Sequence, residues 1–481
     1  QAIVPKGSLL KKRLTSIANF FRDPEYYRQL VHLALQIALQ SLVTSSLNMV
    51  ALILIGQLGE ESVAAVGLAN QIWFLMNLMI FGVVSGASMF IAQLWGKQDV
   101  PNIKRVVGLT IKIALLAAVF FTSVAIFFPS FALHIYSKDT AVIAIGTRYL
   151  QIYGWSYIFY GLSCVFSGAS RSTGNVRLPL VVSTSALGLN VLLAYPFIFG
   201  LKWLGLPAMG VEGAAIAGLI ARVLECLVLL ISVYRDRLCP IAASIKDILE
   251  FKVQFLINVM KPVLPVILNE VLWSLGITTY NIIYAHIGTN AIAAINIMGT
   301  IEQMAFVLFL GIGTATSIMV GNQIGKGNRD KAYIYGGRSL VLQASGAMVM
   351  GAIVYSLAGN ILQLYKVDPE VIANARIILG ILSAGLWMKA CNHTIIIGIL
   401  RSGGDTRFSL VLDGLVIWFV GVPITAAGAF LLGLPIYFVY LLTYCEEAVK
   451  ISVGLRRYFS KKWINDLTQR VEQLSAGEIT G

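Results

Sequence analysis

The chain has 481 residues, 57% of them hydrophobic and 12% charged, with a mean hydropathy of +0.79. A soluble domain carries about a quarter charged residues, so this composition excludes a soluble globular protein and points to a polytopic membrane chain. The net charge of +13 would suit a nucleic-acid binder, but the basic residues sit in short loops between apolar runs rather than along one stripe, so no nucleic acid is expected as a partner.

The first thirty residues place Lys6, Lys11, Lys12, Arg13, Arg22 and Arg28 around Ile17, Phe20 and Phe21. They read as a cytoplasmic amphipathic segment, 1–30, lying at a membrane surface rather than as a cleavable signal peptide. The chain lacks an initiator Met and reads as trimmed. Twelve apolar runs follow, each of about 20 residues or more, enough to cross roughly 30 Å of hydrocarbon. Their expected limits are 32–56, 64–94, 106–130, 142–170, 179–200, 212–234, 262–286, 293–322, 339–364, 372–400, 408–431 and 436–457. One set of loops carries Lys97, Lys104, Arg105, Arg171 and Arg177, then Arg235, Arg237, Lys246 and Lys252, then Lys326, Arg329, Lys331, Arg338, Arg401 and Arg407. The alternate set holds little beyond Lys138, Lys202 and Lys366. The asymmetry predicts cytoplasmic termini and a cytoplasmic linker. The tail places Trp463, Leu467, Val471 and Leu474 at helical spacing beside Lys461, Lys462 and Arg470, and is expected on the inner membrane surface.

The chain repeats itself. Gly59–Lys97 superposes without a gap on Gly288–Lys326, with Gly59/Gly288, Ala64/Ala293, Ala65/Ala294, Ile72/Ile301, Gly82/Gly311, Ser88/Ser317, Gly96/Gly325 and Lys97/Lys326 coinciding. GASRSTGNVRLPL (168–180) likewise matches GILRSGGDTRFSL (398–410) at Arg171/Arg401, Gly174/Gly404 and Arg177/Arg407. A duplication of this kind predicts an all-α polytopic protein of twelve transmembrane helices in two pseudo-symmetric six-helix lobes. The expected division is an N-lobe over 31–235, a cytoplasmic linker over 236–261, a C-lobe over 262–457 and a cytoplasmic tail over 458–481. Pro196, Pro262, Pro265 and Pro423 and the glycines of GVVSGAS and GIGTATS interrupt spans, either as small-residue packing positions or as flex points.

Ionisable residues inside spans cost free energy and are functional candidates by default. Glu270, flanked by Asn269 and Trp273, is the foremost, for a proton or for Na⁺ as the metal ion it would hold; an acid kept by neighbouring donors for structure alone is the other reading. For Asp413, an ion pair with a loop arginine and a transport role fit equally. Glu302 and Gln303 fall inside the eighth span, where lining the substrate cavity is one reading of both. Lys389 and His393, four apart, share a face of the tenth. Lys389 requires an acid, and Glu270, Glu302 and Asp413 are the choices; His393 suits either proton relay or a plain hydrogen bond. Glu225, Glu446 and Glu447 lie in the last span of each lobe, with Arg222 and Lys450 as the expected partners. Asn48, Asn70, Gln71 and Asn190 in the first lobe, and Trp273, Tyr280 and Asn281 in the second, suit a wet substrate cavity, although amides also join helices and aromatics also anchor at interfaces.

The five cysteines, Cys164, Cys226, Cys239, Cys391 and Cys445, form no CxxC pair and read as small hydrophobes. GNQIGK (321–326) is one residue short of a phosphate-loop spacing, so no ATPase engine is expected. HIYSKD (134–139) has an acyltransferase-like His-x4-Asp spacing without supporting residues, so no enzyme and no cofactor is expected.

The segments IGQLGEESVAAVGLANQI, LNVLLAYPFIFGLKWLGLPAMGVEGAAIAGLIAR, LPVILNEVLWSLGITTYNIIYAHIGTNAIAAINI and ILRSGGDTRFSLVLDGLVIWFVGVPIT resemble the multidrug and toxic compound extrusion (MATE) family of bacteria, over about 30–457. The resemblance implies a monomer in the cytoplasmic membrane with a V-shaped central cavity, exporting small organic, often cationic or amphipathic, compounds against inward Na⁺ or H⁺. It makes Glu270 the acid many members carry in the seventh helix, and Arg401, Gly404, Asp405 and Asp413 the pattern after the tenth. Ala51 stands where many members carry an acid and Ala194 where many carry Asp or Asn, which moves the expected coupling to the C-lobe, to Glu270 with Glu302 or Asp413. An alternative is a flippase or exporter of a lipid-linked or specific secondary-metabolite precursor, which needs a cationic lining. A membrane-bound transferase would need an acid/base pair near an interface, and none is visible.

Overall fold

The computed structural model describes residues 23–201, 205, 207–236, 238–249, 253–363, 365 and 367–471. The basic residues expected to form the N-terminal amphipathic segment up to Arg22, together with Lys202, Arg237, Lys252, Lys366 and Leu474, lie outside them. The described chain is built from twelve long helical segments: α1 (Pro24–Gly56), α2 (Glu60–Lys97), α3 (Val100–Phe127), α4 (Thr140–Tyr153 continued by Ser156–Ser172), α5 (Arg177–Phe199), α6 (Gly210–Arg235), α7 (Val253–Ile287), α8 (Thr289–Gly325), α9 (Arg329–Leu362), α10 (Pro369–Arg401), α11 (Thr406–Leu431) and α12 (Ile436–Phe459). Ten are long and apolar enough to cross a membrane. The exceptions are α4, broken at Gly154 and Trp155, and α12, which carries a cluster of charges. Large apolar side chains point outward, Leu116, Phe127, Leu192 and Phe419 among them, as the lipid-facing surface of a membrane protein requires.

The duplication is visible in the packing. α2 packs on α3 and α4 as α8 packs on α9 and α10, and α4 packs on α6 as α10 packs on α12. The twinned glycines have twinned tasks. A Cβ on Gly82 would stand 3.0 Å from the Ile267 backbone in α7, and one on Gly311 2.5 Å from the Ala34 carbonyl in α1. Gly168 meets Val84, and Gly398 meets Gly313, the repeat partner of Val84. The turns after α4 and α10 pass through Gly174 and Gly404, at φ of +86° and +74°, a backbone region that glycine enters without steric cost.

The compact units do not follow the expected division at 31–235 and 262–457. One comprises residues up to Ala38, Ile277–Gly403 and Val416–Asn465; the other comprises Leu39–Gly276, Gly404–Leu415 and the residues from Asp466 on. α1 and α7 are thus each divided, the first part of α1 belonging with α8 and the first part of α7 with α2. Local hydrophobic period marks where a helix runs but not which bundle its face will meet.

Other expectations change in detail. α7 begins at Val253, inside the stretch expected as linker, and the linker itself packs down: Ile241 and Ala243 are buried, and the helix Ile245–Leu249 lies against Gly108 of α3. As far as Val471 the tail is not laid out as a surface helix. Trp463 is buried against Gly403, Leu467 against Gly404, and the Leu467 amide donates to Gln93 Oε1 at 2.7 Å. Its apolar residues have found protein rather than lipid. Pro262 and Pro265 lie inside an unbroken α7. Pro423 instead sits in α11, which widens into π-helical turns at Leu410–Leu415, Ile417–Gly421 and Ala427–Leu431. α10 ends in another, Thr394–Arg401. Such widenings recur at functional sites because they free backbone groups and re-aim side chains.

Candidate functional site

The expected site residues separate into three places. The first is a cavity of about 790 Å³ lined from α1, α2, α4, α5 and α6. Asn48, Asn70, Gln71 and Asn190 all line it. So do Ala51 and Ala194, which bring no charge to it. Its walls also carry Tyr149, Tyr153 and Tyr160, and its charged groups are Arg171, Arg222 and Glu225. Arg222 pairs with Glu225 at 2.7 Å, Ser183 donates to the other Glu225 oxygen at 2.8 Å, and the guanidinium lies over the Tyr160 ring at 5.0 Å. The Arg171 guanidinium donates to Gln40 Oε1 at 3.4 Å. Trp273, although in the same unit, is exposed and does not line this cavity.

The second place is a cluster where α7, α8, α10 and α12 meet. Lys389 Nζ lies 2.6 Å from Glu302 Oε1, donates to the Tyr440 hydroxyl at 3.4 Å, and stands 5.6 Å from the ring centres of both Tyr440 and Tyr444. Of the acids weighed for this lysine, the structure chooses Glu302. Glu447 accepts from Asn392 Nδ2 at 2.7 Å. Glu446 pairs with Lys450 and accepts from the Tyr280 hydroxyl. Among the described residues of this cluster, the three carboxylates of Glu302, Glu446 and Glu447 face the two ammoniums of Lys389 and Lys450, one acid in excess. Tyr280 is therefore a buried partner of an acid rather than a cavity wall, while Asn281 and Gln303 are exposed. His393 is half-buried, edge-on to Phe306 at 5.7 Å.

The third place is where α7 meets α11: Asn269 Nδ2 donates to Asp413 Oδ2 at 2.9 Å, and both Asp413 and Glu270, the residue after Asn269, are buried. Asp413 lies in a π-helical turn of α11. Among the described residues no group of three or more His, Cys, Asp or Glu is arranged to hold a metal ion.

Two features go beyond the sequence reading. Arg171 reads as one more loop arginine, because loop charge carries no sign of which cavity a helix end will line. The tyrosines at 149, 153, 157 and 160 recur at helical spacing, a stripe that marks one face of α4, and Tyr440 and Tyr444 do the same on α12. That periodicity is a signal from which the tyrosine faces could have been found.

The family model MatE matches residues 37–196 and 265–427. The chain is 25% identical over 420 residues to the uncharacterized transporter YisQ of Bacillus subtilis, covering 86% of this chain and 90% of that one. It is 26% identical over 407 residues to the multidrug resistance protein MdtK of Pectobacterium atrosepticum, covering 82% and 86%. A crystal structure of the Vibrio cholerae MATE transporter VcmN in its bent form superposes with a TM-score of 0.82 at 20% identity, over 92% of this chain and 98% of that one.

Proposed function

Because the chain belongs to the MatE family of multidrug and toxic compound extrusion transporters, we propose that it is a secondary active antiporter, exporting small organic compounds in exchange for inward Na⁺ or H⁺. The observation that carries this reading is the excess carboxylate in the Glu302–Lys389–Glu447 cluster. An intramembrane acid without its own counter-charge binds a proton or a small cation, and ionisable groups at that depth mark ion pathways. Glu270 and Asp413 are two further buried acids in the half of the sequence after the linker, where the acids expected from the resemblance but absent at Ala51 and Ala194 lead one to look for coupling. The family and the apolar helices make the chain an integral membrane protein. The basic loops support a cytoplasmic-membrane orientation with both termini inside.

The test is solute movement in proteoliposomes under an imposed Na⁺ or H⁺ gradient. Glu302→Gln is expected to abolish gradient-driven transport while leaving insertion intact. Glu270→Gln is the comparison arm: loss there with Glu302→Gln unaffected would move coupling to Glu270 and Asp413. Full transport by both variants would overturn the reading.

A further inference from the structure

The cavity in the half before the linker has the wrong sign for a cation. Its charged lining is Arg171, Arg222 and Glu225, two guanidiniums against one carboxylate. Glu225 is already committed: it pairs with Arg222 and accepts from Ser183, with its side chain only 4% exposed. No other acid lines the space, and Ala51 and Ala194 leave it none. Arg171 is the uncompensated charge. Among the described residues its one polar partner is the neutral Gln40, and no carboxylate forms an ion pair with it. Its repeat twin Arg401 shows what the position does elsewhere, being 3% exposed and packed into the protein. In one copy the arginine is shut in, and in the other it opens on a cavity. All three charged groups lie within electrostatic reach of Cys164, so they act on the same space.

We infer that this cavity binds an anionic group, a carboxylate in the first instance, on an aromatic organic solute. Arg171 offers a planar fork of N–H donors matched to a carboxylate, of which one is used by Gln40. Arg222, fixed by Glu225 and by the Tyr160 face, keeps donors beyond the one it gives to Glu225. Tyr149, Tyr153 and Trp73 line the cavity and supply ring faces for the apolar body, and the amides of Asn70 and Asn190 supply neutral donors. In a low-dielectric cavity an unpaired guanidinium attracts an anion far more strongly than it would in water, and repels a cation to the same degree. The exported compound is then an organic acid rather than the cation usual for such exporters, with the cation handled at the separate acidic cluster. This deepens the exporter reading and rests on it for the direction of movement, but not for binding.

The experiment is equilibrium binding to the purified full-length protein in detergent, with no gradient, so that its outcome is independent of whether transport is coupled. Fluorescence anisotropy of fluorescein, an aromatic dianion, is compared with that of ethidium, an aromatic cation of similar size. Fluorescein is expected to bind at least about ten-fold more tightly, the worth of one charge-assisted contact. Arg171→Gln, whose wild-type side chain holds only Gln40, should remove at least about ten-fold of the fluorescein affinity and leave ethidium unchanged or improved. Ala51→Asp, which cancels the excess charge without touching either arginine, should act in the same direction. Tighter binding of ethidium by the wild type would overturn the inference, as would unchanged fluorescein affinity in both variants. A lipid phosphate is the other source of the same chemistry. Displacement of fluorescein by phosphatidic acid in mixed micelles at lower concentration than by benzoate would assign the cavity to lipid and overturn the soluble acid.

Discussion

Glu302 and Lys389 offer a measurement that separates folding from ion coupling. Their side chains are 23% and 21% exposed and meet at 2.6 Å. An exposed pair contributes about 0.2–1 kcal/mol, whereas removing one member of a fully buried pair costs about 3–5 kcal/mol, because the survivor is left uncompensated. This pair lies between those limits, with Tyr440 and Tyr444 giving the ammonium a partial substitute for its acid. Lys389→Met, which strands an acid, should therefore cost about 2–3 kcal/mol, and Glu302→Gln about 1–2 kcal/mol, because the Glu447 carboxylate still acts on Lys389. The double variant strands neither member of the pair and keeps the cluster's net charge as it was, so it should return to within about 1 kcal/mol of the wild type. The assay is reversible unfolding in detergent read as a double-mutant cycle. A coupling energy below about 0.5 kcal/mol would show that the two groups do not depend on one another. A restored fold in the double variant, together with lost gradient-driven transport, would locate ion coupling in the cluster rather than in stability.

Two further outcomes can be checked. Asp23 precedes α1 and pairs with Arg338; burial raises its pKa, but the hydrogen bond and charge of Arg338 and the Tyr26 amide outweigh this and hold the carboxyl below its ordinary 3.8. Its stabilisation is present above about pH 4 and is lost as pH falls through the lowered folded-state value, so the wild type should be more stable than Asp23→Asn at pH 6 and converge with it below pH 4. A difference that stays constant between pH 6 and pH 3 refutes the pairing. Gly403→Ala would drive a Cβ into the Trp463 carbonyl, an overpacking expected to cost about 1–3 kcal/mol and to open residues 463–471 to protease; an unchanged cleavage pattern would show that this stretch is not held there.

Much of this molecule is legible in the residues. The spacing of Arg222 and Glu225, and of Glu446 and Lys450, puts each pair on one helix face, and the structure pairs them. The need of Lys389 for an acid is clear from its depth, though the choice among three acids is not, because sequence order does not say which helix stands opposite. The repeat announces twinned helices and twinned turns. It does not announce that α1 and α7 are each divided between units, since a face of alternating small and apolar residues suits any apolar partner. The tail departs from expectation for a related reason: Trp463 and Leu467 ask to leave water, and lipid and protein answer that request alike. Arg171 is unreadable because its meaning comes from what its surroundings lack.

The division of α1 and α7 has a consequence for how the protein is made. Ribosomes finish α2 at Lys97, long before they reach Val253, so the face at Gly82 must wait, unpacked, for a helix not yet synthesised. The opening stretch of α1 is held in reserve in the same way until Gly311 arrives. A truncation that looks like a natural stopping point between α6 and α7 leaves the Gly82 face without Ile267 and the opening of α1 without Gly311.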